Sequence, residues 1–143
     1  MTTTIGSVVL AGIGGAEGSG GDLQWQDEFA AGSDLVGMVG RVSITGAPIY
    51  QASAQQSGRL MTLAGGNDNR GYFGVITRAE VLALYAIAAV PGEEYEITLA
   101  DGREFTGMFR RTDGPAFEAI PLEHMVPHES TDLYVPTIRL VLV

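Results

Sequence analysis

The chain has 143 residues, a formal net charge of −9, eight arginines but no lysine, twenty glycines and no cysteine. That length suits one domain burying about two thirds of its unfolded surface without staples, and the missing cysteine excludes disulfide frameworks, thiolate zinc sites and cysteine nucleophiles. The acidic balance excludes the basic stripe that nucleic-acid binding needs, and no apolar run reaches the roughly 18 residues of a membrane span, so we expect a soluble, unprocessed, mainly β chain.

In chain order, residues 4–11 (TIGSVVLA) read as a strand running into Gly12-x-Gly14. A dinucleotide fingerprint wants glycine or alanine three residues after the second glycine and then a helix. Here Glu17 and the run from Gly18 to Gly21 stand instead, so we read residues 1–22 as a glycine-rich N-terminal strand and arm, and residues 23–143 as the β core. Leu23, Trp25 and Phe29 are the apolar members of the next segment. Its only tryptophan either fills the core or, leashed by the glycine-rich arm, anchors a neighbouring subunit, since aromatics dominate interface hot spots.

Residues 38–45 (MVGRVSIT) alternate as a strand does, with Met38, Gly40, Val42 and Ile44 on one face and Arg41, Ser43 and Thr45 on the other. Gly46-Ala47-Pro48 turns the chain into a strand over 49–52, and residues 59–64 (RLMTLA) make another. Residues 65–71 (GGNDNRG) read as a polar loop. Asn67, Asp68 and Asn69 lack the spacing and the bidentate glutamate of an EF-hand, and turn chemistry accounts for them.

Thr77-Arg78-Ala79-Glu80 matches a capping box, with Val81, Leu84, Tyr85 and Ala88 behind it at the spacing of a buried helical stripe and Pro91-Gly92 as the stop. This pattern predicts a helix over about 77–90. Tyr95, Ile97 and Leu99 then alternate with polar residues, and Ala100-Asp101-Gly102 reverses the chain. A two-residue loop would set Thr98 against Phe105. A three-residue loop with Gly102 left-handed sets Leu99 against Arg103 and Ile97 against Phe105, sharing the inner face, and is the expected register. Arg110 and Arg111 stand in a turn as exposed charges, residues 117–122 form a strand broken by Pro121, and residues 133–143 form a terminal strand with Tyr134, Ile138, Leu140 and Leu142 on one face. Pro136 cannot donate to a ladder and places the start of that strand at an edge or bulge.

His124 and His128 are four residues apart, but Pro127 between them opposes the helix that a shared metal would require. No nucleophile elbow occurs. We therefore expect no catalytic, cofactor or metal site.

The ordered set Leu23-x-Trp25-x-Asp27-Glu28-Phe29, Thr45-Gly46-Ala47, Gly58-Arg59-x-x-Thr62-Leu63, Thr77-Arg78-Ala79-Glu80-Val81, Leu99-x-Asp101-Gly102-Arg103-x-Phe105, Phe109-Arg110 and Gly114-Pro115-Ala116, followed by a terminal strand, resembles small tail proteins of long-tailed bacteriophages, of the distal-tail and tail-hub kind. The resemblance spans roughly residues 23–143. It departs from the pattern in its long leader and in Tyr72-Phe73-Gly74-Val75-Ile76, where a tryptophan often precedes the helix. It implies a tail-tube fold of two packed antiparallel sheets or a partly closed barrel with one flanking helix. It also implies a homohexameric ring in the virion's tail tip or baseplate, assembled in the host cytoplasm and contacting tail-tube and hub proteins, with DNA only as passing cargo and no membrane. Leu23, Trp25, Phe29, Arg110 and Arg111 are the candidate subunit interface. The alternative is a β-sandwich that binds carbohydrate or a host surface through an exposed aromatic platform at Trp25, Tyr72 or Phe73.

Overall fold

The computed structural model describes residues 3–10, 23–29, 36–55, 58–68, 71–123 and 126–143. Among them the chain is mainly β with one helix. The strands are β1 (Thr3–Ile5), β2 (Val8–Leu10), β3 (Gln24–Trp25), β4 (Val36–Val42), β5 (Pro48–Ala54), β6 (Leu60–Ala64), β7 (Gly66–Asp68), β8 (Gly71–Phe73), β9 (Ile76–Thr77), β10 (Glu94–Thr98), β11 (Glu104–Phe109), β12 (Phe117–Pro121) and β13 (Leu133–Leu142); helix α1 spans Arg78–Ala88. Nine strands form one open antiparallel sheet in the order β2-β1-β10-β11-β13-β6-β3, with β12 and β9 also paired to β13, while β4–β5 and β7–β8 are separate ribbons.

One register row carries the core. Ile5 faces Ile97, Ile97 faces Phe105, Phe109 faces Leu140, Leu140 faces Met61, and Ile138 faces Leu63, which faces Trp25. All lie on the inner face and pack in one cluster with Leu84 of the helix. In a flat sheet β3 and β11 would stand three strand spacings apart, about 14 Å. Yet the rings of Trp25 and Phe105 meet edge to face at 5.5 Å, so the sheet curls over itself and brings its two halves together without closing.

The local signals explain most of these elements. Gly102 has φ 92°, Leu99 N–H donates to Arg103 C=O at 2.9 Å, and Ile97 pairs with Phe105; the three-residue loop is the one formed. Thr77 caps the helix and its N–H donates to Glu80 Oε2 at 3.2 Å. Two further first-turn amides, of Arg78 and Ala79, donate to the carbonyls of Asp132 and Ser130, while Tyr95 Oη donates to the Ile87 carbonyl near the far end. Leu84 and Ala88 are buried as expected and Val81 packs on the core, but Tyr85 is 66% exposed and Ile87 takes the inward place. Tyr85 instead leans edge to face on Phe117.

Several expectations are corrected. Residues 4–11 are not one strand: Gly6, at φ 58°, opens a two-residue turn that folds them into the β1–β2 hairpin, whose Ile5 and Leu10 are fully buried. Residues 3–10 therefore belong to the core sheet, while the glycine-rich run 11–22 lies outside the described residues. The polar stretch 65–71 supplies β7 and β8, a hairpin whose tip, with Asn69, also lies outside them. Pro136 is buried and pairs with Ala119 of β12 on one side. On the other it falls at a break in the ladder, between the β9 partners of Leu133 and Tyr134 and the β6 partners that start at Thr137, and its carbonyl accepts from Gly65 N–H there, so the strand is interrupted at the proline on one flank and is not an outer edge.

Candidate functional site

Two features invite a functional reading. The first is a polar and aromatic clasp, and the second is the β4–β5 ribbon. The clasp gathers residues from four separate stretches of sequence. Trp25 Nε1–H donates to Leu60 C=O at 3.3 Å, and the guanidiniums of Arg59 and Arg103 lie 4.6 and 5.6 Å from its ring centroid. Arg59 donates to Glu28 C=O at 2.6 Å; Arg103 pairs with the carboxylates of Glu28 at 2.5 Å and Asp101 at 2.7 Å. Asp27 accepts from both the N–H and the hydroxyl of Thr62, at 2.8 and 2.9 Å. Arg110 then reaches Thr62 Oγ1 at 3.1 Å, Leu140 C=O at 3.2 Å and Asp113 Oδ1 at 2.9 Å.

These are the residues on which the family resemblance rests, and their polar groups largely satisfy one another, the buried Arg59 Nε being left without a partner among the described residues. The clasp therefore works as architecture: it ties the 23–29 segment across β6 to the β10–β11 turn. Arg103 N–H on Asp101 Oδ1, followed by the Arg103 side chain on Oδ2, holds the Asp101 carboxyl below its ordinary value of 3.8. A folded-state value below the unfolded one contributes stability above the ordinary value and loses it as pH falls through the lowered one. Carbon-detected NMR should place the Asp101 midpoint below 3.8. Arg103→Gln should move it only part of the way back, because the backbone hydrogen bond persists.

The five candidate interface residues separate in the structure. Leu23 and Trp25 are buried in their own chain, and so is Arg110, which was expected as an exposed charge; its inward carbonyl and hydroxyl partners explain the difference. Phe29 is 91% exposed. Arg111 is exposed but donates to Ala88 C=O, covering the last carbonyls of α1. Burial of Trp25 also removes it from any aromatic platform. His124 lies outside the described residues; His128 Nδ1 stands 3.5 Å from Asp132 Oδ2 beside a cavity of about 200 Å³ lined by Pro121, Leu122, Glu129 and Tyr134. No group of three or more metal-ligating side chains forms among the described residues.

The ribbon was legible as strands but not as a surface. Val36 pairs with Ala54 and Val42 with Pro48 in continuous antiparallel register, which places Val36, Met38, Val42 and Tyr50 on one face, with the Tyr50 ring covering Gly40. That is the predicted apolar face. Here it stays open to water: these four residues are 50–74% exposed, and Ile44 at the tip is fully so. An isolated two-stranded hairpin is at best marginally stable in water. The helix tells a similar story, since Leu82 and Tyr85 leave part of its outer side apolar and exposed.

No protein-family model, curated protein or solved structure matches this chain.

Proposed function

We propose that this chain is a structural ring subunit of the tail tip or baseplate of a long-tailed bacteriophage, continuing the tail tube around a DNA channel and acting by assembly. The resemblance supplies the identity. The observation that carries assembly is the β4–β5 ribbon, an apolar face offered to water. Val36, Met38, Val42, Ile44 and Tyr50 at their exposures present on the order of 700 Å², close to the roughly 800 Å² each partner buries in a standard interface. The curled, open sheet with its flanking helix is compatible with a tail-tube subunit. Its solvent face carries Glu94, Glu96 and Glu104, all exposed on adjacent strands, and in the proposed ring this acidic face is the candidate channel wall, where like charge weakens phosphate contacts.

Light scattering over a concentration series, with negative-stain images of the same fractions, tests the reading. The expected result is a closed ring with a central hole at six times 15.0 kDa, about 90 kDa. A 15.0 kDa monomer at every concentration overturns self-assembly.

A further inference from the structure

We infer that Ile44, at the tip of the β4–β5 ribbon, anchors a head-to-tail contact by docking in the groove between the end of α1 and the 111–117 turn of a second copy of this chain. The inference rests on the ring reading and names the contact that builds it.

The tip is ordered before it binds. Ser43 N–H donates to Ala47 C=O at 2.9 Å, Gly46 N–H to Ser43 C=O at 2.9 Å and Ala47 N–H to Ser43 Oγ at 3.1 Å, while the hydroxyls of Ser43 and Thr45 share a hydrogen bond. This closed turn holds Ile44 outward with its whole side chain in water. A pre-ordered apolar knob has already paid the ordering cost that weakens most flexible loops as anchors. Among the described residues Ile44 packs in no groove of its own chain.

The groove is the matching concavity. It measures about 370 Å³, with buried Ala88, Ala116 and Phe117 as its floor and Tyr85, Pro115 and Arg111 at its rim. Its rim residue Tyr85 leads onto Leu82, one turn back and also exposed on the outer side of α1. That strip offers a seat for the ribbon's apolar face once Ile44 is in place.

Area commits the occupant to a second copy: the ribbon's exposed apolar face is on the scale of one partner's share of a standard interface, which is what a stable pair of copies has to bury. Knob and groove are different patches, so the contact is heterologous; repeated, it closes into a ring or runs into a filament.

Because the chain has no cysteine, single cysteines report proximity without background. Thr45→Cys keeps the Ile44 anchor, and Ala89→Cys marks the exposed groove rim. An equimolar mixture of the two, oxidised under assembly conditions, should give a disulfide-linked dimer on a non-reducing gel. Thr45→Cys mixed with Glu104→Cys, on the far face, should not, since bridging needs Cα atoms within about 7 Å. In parallel, Ile44→Asp should weaken association at least about 30-fold, the size of a hot-spot truncation, and leave the urea midpoint of the dissociated chain unchanged. Rings that persist in Ile44→Asp with no Thr45–Ala89 cross-link overturn the docking and leave the ring standing. A wild-type chain that is monomeric throughout, with no cross-link, removes both.

Discussion

Trp25→Ala should cost about 3–5 kcal/mol of stability, the range for emptying a large aromatic site in a core, and it should do so in a monomer. Trp25 is 7% exposed, it meets Phe105 edge to face, and its indole N–H is spent on Leu60 C=O. Its removal strips the cover from Arg59 and Arg103 and opens the seam where the two halves of the curled sheet meet. Urea unfolding at dilute and concentrated protein separates the two roles the sequence allowed. A core tryptophan lowers the midpoint equally at both concentrations. An interface anchor would leave the dilute midpoint unchanged and lower only the concentrated one. Trp25→Phe should recover more than half of the loss, because the ring contact survives while the hydrogen bond does not. The wild-type fluorescence offers an independent check: as the only tryptophan, Trp25 should shift to the red on unfolding at any concentration.

The contrast between Trp25 and the ribbon shows what this sequence makes legible. Elements set by contacts a few residues apart were readable: the capping box at Thr77, the register around Gly102 and the alternation in residues 133–143 all depend on local geometry. What the sequence could not express was which alternating face meets another part of the chain. Residues 38–44 and residues 95–99 have the same apolar period, yet one lies bare and the other is buried, because burial depends on where distant strands curl. Pro136 misled for a related reason. Its missing donor signals an edge or a bulge, and the structure meets it with a break between two partner strands on one flank. The clasp was visible only as scattered pieces, since Trp25, Thr62, Arg103 and Arg110 touch through sheet pairing that no short motif encodes. Two adjacent arginines look alike in a sequence; one is buried among carbonyl and hydroxyl acceptors and its neighbour caps a helix.

Arg110 is where that difference has the largest measurable consequence. Its guanidinium is the hub joining β6 through Thr62, β13 through the Leu140 carbonyl and the 113 turn through Asp113, and Thr62 extends the chain of hydrogen bonds to Asp27. Arg110→Ala removes the side-chain hydrogen bonds to the Leu140 carbonyl and the Thr62 hydroxyl and empties the space that the buried side chain fills, at a cost of about 2 kcal/mol. Asp113 contributes little to that figure, because its carboxylate is 52% exposed and returns to water. Arg110→Lys keeps the charge but loses the planar fork that reaches three acceptors at once, so it should recover less than half of the loss. Thr62→Val removes the shared hydroxyl at nearly constant volume, and a double-mutant cycle with Arg110→Ala should show coupling of about 1 kcal/mol. Urea unfolding of the four proteins gives all of these values. If Arg110→Ala and Arg110→Lys both fall within 0.5 kcal/mol of wild type, on the scale of ordinary surface substitutions, the guanidinium holds nothing and the clasp rests on Trp25 alone.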